Sequence, residues 1–411
     1  MLRRLAHLIW GAEVDRALRP VLAVTLIGSL AGSSAWSFMG IWAIEDLGAT
    51  SAQLSFGYLV GAIVAGLVGH AGGHLSDHVG RRGLILAGEG LLAITLPLFL
   101  LAGSDVLLGL GLMVGAGALG SFGGSAGQAM VADLVPPERH EVAYASVRVA
   151  ANLGVTMGPP AGSLFLVAGG WHAFFPGVGL LAVAAWWLAF RLLPRGGAYA
   201  PTSPPQRGSL GVIVRDRPYL LFMAASVFSW LVYVAYETVL PVSLVESHGL
   251  PTWGWGVLVV INPLLVTLFQ LRLTRSLAHV SMVPKWVAGV LLMGLPFLLL
   301  GVTSAIPVIV LVLVLFVLGE MLWVPTSSAI VAGLAPDDLR GAYMGAFAGT
   351  AATGFALAPF LGLQVRDASG DAAMWSAFAV AAVVSAAVGA TVCRRAESRA
   401  APPPPSALLE G

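Results

Sequence analysis

Charge is scarce in this sequence. Charged residues make up 10% of the 411 positions, against roughly 25% in a soluble domain. Hydrophobic residues fill 58%, so a water-soluble globule is excluded. There is a single cysteine, Cys393, and an internal disulfide is therefore excluded. The single lysine is Lys285, at a helix start. The eight histidines are scattered or lie in loops, and nothing shows metal-ligand spacing. No G-x-x-x-x-G-K-S/T stretch occurs, so ATP is not the expected energy source. No polar cluster suits catalysis, and neither an enzyme nor a cofactor is expected. A net charge of +1 makes nucleic acid an unexpected partner.

What is abundant is apolar sequence. A bilayer-crossing helix needs about 20 such residues. Runs of this kind fall at 20–43, 53–73, 83–102, 106–131, 142–168 and 172–193. A second set falls at 219–245, 254–275, 285–304, 307–332, 341–365 and 372–393. The reading is an all-α membrane protein of twelve transmembrane helices in two groups of six. The first span lacks a cleavage site of small residues and reads as a permanent anchor.

Basic residues set the expected orientation. Arg3, Arg4, Arg16 and Arg19 precede the first span. Arg81, Arg82, Arg139, Arg195, Arg207, Arg215, Arg217, Arg272, Arg275, Lys285 and Arg340 fall in alternate connections on the same face. Arg394, Arg395 and Arg399 follow the last span, whereas the opposite face holds only Arg366. Both termini are expected in the cytoplasm of a cell whose plasma (inner) membrane holds the chain as a monomer.

Residues 1–194 form the expected N-terminal six-helix bundle and 218–393 the C-terminal one. A Pro/Gly-rich cytoplasmic linker, 195–217, joins them. The tail 394–411, with Pro402 to Pro405 in a row, is expected to be disordered. The halves repeat at an offset of 200 residues. Val131, Ala132, Leu134 and Pro136 recur as Val331, Ala332, Leu334 and Pro336. Gly154, Pro159 and Gly162 recur as Gly354, Pro359 and Gly362. Such a repeat indicates two parallel units.

Between the second and third runs stands Gly73-His74-Leu75-Ser76-Asp77-His78-Val79-Gly80-Arg81-Arg82, read as a short charged turn. Its pattern, G-x-L-S-D-x-x-G-R-R, resembles the loop between the second and third helices of major facilitator superfamily transporters. The resemblance implies the major facilitator fold, two pseudo-symmetric six-helix bundles with a substrate site between them near mid-membrane. It also implies a conformational latch of Gly73, Asp77, Gly80, Arg81 and Arg82. Asp77 would dock on a helix of the other half, and Arg81 would pair with Asp133 at the end of the fourth helix.

Span five carries Gly154-x-x-x-Gly158-Pro159-Pro160-Ala161-Gly162. Small residues four apart let helices approach closely, and proline bends the axis. This resembles the G-x-x-x-G-P-x-x-G motif of proton-coupled drug exporters in the superfamily, which implies antiport.

A charge at mid-bilayer costs about 2.5–3.5 kcal/mol, so each one is a functional candidate. Glu320 lies about 13 residues, or about 20 Å, from either end of its span. Glu237 lies in span seven, nearer the outer face. Arg148 and Glu89 sit about six residues, roughly 9 Å, from the cytoplasmic side, where snorkelling would satisfy them. Glu89 reads as structural. Glu237, Glu320 and Arg148 are the candidates for proton coupling. Span one offers no acid before its outer rim at Glu45 and Asp46.

The candidate cavity wall is apolar and aromatic: Trp36, Phe38, Tyr233, Tyr236, Met321 and Trp323, with Gln128, Asn152 and Asn262 as polar points. Such a lining suits a hydrophobic or amphipathic small molecule. The expected function is secondary transport, most like proton-coupled multidrug efflux by rocking of the halves. Proton-coupled uptake of a small metabolite and a non-transporting sensor or scaffold remain open. The expected partners are protons, a small-molecule substrate and the lipid bilayer.

Overall fold

The computed structural model describes residues 16–135, 140–195, 209–277, 279–336 and 339–400. The described residues are almost wholly helical. Helix α1 is Arg19–Glu45, α2 Ser51–Val79, α3 Arg81–Leu98 and α4 Val106–Leu134. His140–Leu192 leaves helical geometry at Gly169 and Gly170, which divides it into α5 (140–168) and α6 (171–192). Then come α7 Ser209–Ile213, α8 Arg217–Thr238, α9 Leu240–Glu246, α10 Thr252–Leu258 and α11 Ile261–Ser276. Helix α12 is Met282–Gly294 and α13 Ile306–Leu334. Arg340–Ala400 breaks at Gly370 into α14 (340–369) and α15 (371–400).

Nine helices among the described residues are long and apolar enough to cross a bilayer. Two of these, Ser146–Leu192 and Ala346–Val392, run 47 residues, more than twice the length of one crossing. Their glycine breaks fall where the sequence separates span five from six and span eleven from twelve. Val106–Ser121 is a shorter apolar stretch within α4.

Prolines explain two further breaks. Pro241 has no N–H for the carbonyl of Glu237, and α8 ends as α9 begins. Pro263 likewise leaves the carbonyl of Val259 without its helical partner. The N–H of Asn262 donates to that carbonyl at 3.2 Å instead, in the turn between α10 and α11.

The charged stretch after Leu54–Gly72 is not the loop the sequence suggests. Helix α2 continues through Val79, and α3 starts at Arg81. One residue, Gly80 with φ 94°, makes the reversal. Only glycine takes that conformation without strain. Part of the expected linker is likewise ordered as α7. The first residues of the expected disordered tail continue α15 to Ala400. Residues 196–208 and 401–411 of those two segments lie outside the described residues.

The chain forms two compact units. One comprises Met1–Pro204 with Leu240–Leu264, and the other comprises Pro205–Val239 with Leu265–Gly411. The segment 240–264, counted with the second bundle on sequence grounds, thus packs with the first unit. In that unit Thr252 donates to Glu45 Oε2 at 2.7 Å, and Ser163 donates to the Trp253 carbonyl at 2.9 Å. A Cβ on Gly256 would lie 2.6 Å from the Pro159 carbonyl oxygen.

The glycine motif of α5 closes this unit. A Cβ on Gly154 would meet the Leu30 nitrogen at 2.8 Å. One on Gly158 would meet the Leu30 carbonyl oxygen at 2.8 Å. One on Gly162 would meet the Phe38 ring at 2.8 Å. Helix α5 therefore lies backbone to backbone on α1, as small-residue spacing allows. Ser34 seals the contact by donating to the Gly158 carbonyl at 2.7 Å.

The second unit repeats the device. Gly354 faces Trp230 on α8, with its Cβ position 2.6 Å from the Trp230 Cβ, and Gly362 faces Phe378. Its polar ties differ. Asp216 caps α8 by accepting from the Tyr219 N–H, and Tyr343 donates to Asp216 at 3.0 Å. Trp286 donates to the Ser385 carbonyl at 3.1 Å.

Replacing Gly154 with leucine must push α5 off α1. We expect a loss of about 1–3 kcal/mol, the usual range for overpacking, read as a lower thermal midpoint of the purified protein in detergent. Gly111→Ala, where a Cβ meets nothing within 4 Å, should leave the midpoint in place.

Candidate functional site

Two acidic side chains meet inside the second unit. On α8, Trp230, Tyr233 and Glu237 are spaced three and four apart and share one face. On α13, Phe316, Glu320 and Trp323 have the reverse spacing and share another. These faces pack together. Tyr233 donates to Glu320 Oε1 at 3.5 Å, the long end of a hydrogen bond. Tyr233 also stands within hydrogen-bonding reach of Glu237, whose charge feels that of Glu320. One phenol therefore lies near both acidic side chains in the apolar part of the chain.

Aromatic rings enclose them. Tyr236 stacks on Phe316 with centroids 4.2 Å apart. Trp230 meets Trp323 edge to face at 5.0 Å, and Tyr233 lies 6.0 Å from both Phe316 and Trp323. The buried indole N–H groups of Trp230 and Trp323 have no hydrogen-bond partner among the described residues. A buried donor left unpaired costs about 1–3 kcal/mol.

The backbone under Glu320 is shaped for close packing. Gly319 crosses Gly289 of α12, where a Cβ would lie 2.7 Å from the Met293 nitrogen. One turn further, Pro325 removes the N–H that the Met321 carbonyl would accept. Gln270 of α11 donates to that carbonyl at 3.0 Å. Trp230, Phe316 and Gln270 escaped the sequence reading. The helical spacing of Trp230 to Tyr233 and of Phe316 to Glu320 was the available signal. Nothing in the sequence links Gln270 to Met321.

The expected cavity residues have different surroundings. Phe38 is wholly buried inside the first unit, edge to face with Phe174 at 5.5 Å and under Gly162. Its ring fills the space that the missing side chain at Gly162 leaves. Trp36 is 37% exposed and packs edge to face on Tyr58 at 5.7 Å. Asn152 is exposed, and its carbonyl accepts from Thr156. Asn262 is half-buried. Met321 is buried. Gln128 lies on α4, with its side chain outside the described set.

Arg148, the third candidate for proton coupling, is exposed and has no ion pair among the described residues. Glu89 rests against α1. Gly28 lacks the Cβ that would stand 3.1 Å from Glu89 Oε1.

The motif around Gly80 supplies a second polar element. Arg81 Nε donates to Asp133 Oδ2 at 3.0 Å, with side chains only 7% and 10% exposed. Helix α3 brings Arg81, and the end of α4 brings Asp133, beside a cluster that includes Leu84, Ile85, Met130 and Val131. Arg82 turns the other way. It donates to the Phe190 carbonyl at 2.6 Å and lies over the Phe190 ring, placing positive charge at the C-terminal end of α6. Gly73 and Asp77 lie on α2, with side chains outside the described set.

A backbone crossed this way, with acids held in its apolar interior, belongs to a membrane carrier. The chain is a member of the Major Facilitator Superfamily, whose family model matches residues 21–359. A Na(+), Li(+), K(+)/H(+) antiporter of Planococcus maritimus is 26% identical over 368 residues, covering 79% of this chain and 84% of that protein. The multidrug resistance protein MdtH of Proteus mirabilis is 25% identical over 311 residues, covering 74% and 75%. Among solved structures, a POT family transporter in complex with 5-aminolevulinic acid superimposes with a TM-score of 0.76 at 17% identity. It covers 94% of this chain and 97% of its own. A bacterial homologue of the human lysosomal transporter Spinster gives 0.74 at 15%, covering 94% and 98%. At these identities the two structures show the fold alone. The protein is a multi-pass membrane transporter and not an enzyme.

Breaking one half of the Arg81–Asp133 pair strands the other charge. Asp133→Asn and Arg81→Ala should each lower stability by about 3–5 kcal/mol, as for other buried pairs. Thermal unfolding of a double-mutant cycle checks this. The double variant should lose about 1–3 kcal/mol less than the sum of the singles.

Proposed function

We propose that the protein exports hydrophobic or amphipathic small molecules in exchange for protons, by alternating access. The observation that carries this reading is the Tyr233 hydroxyl set between Glu237 and Glu320 within an aromatic enclosure. Carboxyl groups in hydrocarbon are proton carriers by default. Aromatic faces attract apolar bodies and cations alike. Protons arriving from outside neutralise the acids and weaken their hold on a cationic substrate. Deprotonation toward the cytoplasm restores that hold. The names of the relatives, one an antiporter and the other a multidrug resistance protein, support exchange and export.

In this reading the Arg81–Asp133 pair, with Asp77, holds one conformation closed. The glycine-packed α1–α5 contact is the rigid part that moves as a body. Both termini face the cytoplasm, and the chain works as a monomer in the plasma membrane.

A second reading is exchange of a monovalent metal cation for protons. It is favoured by the name of the Planococcus maritimus relative and by the chemistry of the site, since carboxylates and phenols are hard oxygen ligands.

Everted vesicles separate the two. With a respiration-driven pH gradient, an amphipathic cationic dye should accumulate inside and dissipate part of the gradient. Glu320→Gln and Glu237→Gln should abolish accumulation while the protein still exchanges dye across the membrane at equal concentrations. Tyr233→Phe should slow accumulation about tenfold, the loss of one hydrogen bond to a charged group. Accumulation by Glu320→Gln at the wild-type rate refutes the coupling. Dissipation by added Na+ or K+ without dye selects the cation reading.

A further inference from the structure

A cavity in the second unit reaches Met321, the residue after Glu320. It opens between the end of α11, the start of α12 and the inner turns of α13, and its volume is 180 Å³. Drug-sized ligands need about 300–1,000 Å³, so this is no substrate chamber. Its walls are apolar: Leu273, Leu277, Met282, Leu322 and Pro325 line it.

Three polar side chains meet the apolar wall. Lys285 and Thr274 border the cavity, and Thr326 lines it. Thr326 is 5% exposed, and its hydroxyl has no hydrogen-bond partner among the described residues. Lys285 makes no ion pair among the described residues.

The stretch of sequence that carries Lys285 has charge of one sign. No aspartate or glutamate occurs between Glu246 and Glu320, yet Arg272, Arg275, His279 and Lys285 all fall there. Arg81 and Arg366 pair with carboxylates, and Arg82 meets a helix end. Here the Lys285 ammonium is half-buried beside an apolar slot, with no carboxylate partner among the described residues.

We propose that this cavity binds one anionic phospholipid. The phosphate pairs with the Lys285 ammonium and accepts from Thr274, and the upper part of an acyl chain fills the slot between α11 and α13. Basic pockets between membrane helices suit anionic headgroups, and the slot supplies the apolar half of the match. An occupied slot wedges α11 against the α13 turn that Gln270 and Pro325 define, one residue beyond Glu320. The lipid is thus placed to tune the acid pair without touching it.

The test uses the full-length protein purified in detergent. Native mass spectrometry counts retained lipid, and thermal unfolding reads the stabilisation, with phosphatidylglycerol and phosphatidylethanolamine compared at equal concentration. Phosphatidylglycerol should stay bound and raise the midpoint, and phosphatidylethanolamine should do neither. Lys285→Gln should weaken phosphatidylglycerol binding about fivefold, the effect of one basic residue near an anionic surface, and Lys285→Arg should restore it. Equal binding of the two lipids by the unaltered protein overturns the proposal, and that arm needs no variant to fold. Wild-type retention by Lys285→Gln overturns it as well. So does an equal shift from inorganic phosphate alone, which would make the site one for a free anion.

Discussion

In hydrocarbon a backbone carbonyl that loses its helical partner finds no water to replace it. Much of this structure follows from how such carbonyls are met. Pro325 strips the Met321 carbonyl, and Gln270 reaches across from another helix to serve it. The Gly158 carbonyl keeps its helical partner in Gly162, and the absence of side chains along α5 lets Ser34 from α1 donate to it as well. The Phe190 carbonyl, near the C-terminal end of α6, receives the Arg82 guanidinium. Each tie fixes a helix pair at a defined height, and the acid pair depends on one of them. Glu320 is held by the crossing of Gly319 over Gly289 above it and by the Gln270 bond below it.

The internal repeat supplies a frame that the two halves fill differently. Gly154 and Gly354, Gly162 and Gly362 occupy equivalent close contacts in their own units. At the position of Gly158 the second half has Ala358, and no serine bond joins there among the described residues. The first unit is tied by the Arg81–Asp133 pair, the second by Asp216, Tyr219 and Tyr343. Acids set between aromatic rings occur in the second unit only, among the described residues. The two units thus share backbone packing but not polar chemistry.

Residue type and spacing made much of this legible in the sequence. Glu237 and Glu320 stood out because charge is rare in apolar runs. Gly154 and Gly158 stood out because small residues four apart have one common use in a membrane. The partners were harder to see. Phe38 read as a cavity wall, since an aromatic side chain carries no mark of which neighbour it faces. Trp230 and Phe316 went unnoticed because their role depends on how α8 and α13 are rotated about their axes. The stretch around Asp77 read as a loop because its residues are polar. Helix α2 keeps its hydrogen bonds past the apolar run and stops only at Gly80.

That stop leaves almost no chain between neighbouring helices. With Gly80 alone linking them, and Arg81 the first residue of α3, the two helices behave as a geared pair rather than as beads on a string. Any change of angle between them has to be taken up at Gly80, immediately beside the guanidinium that grips Asp133. The ionic contact thus stands one residue from the pivot.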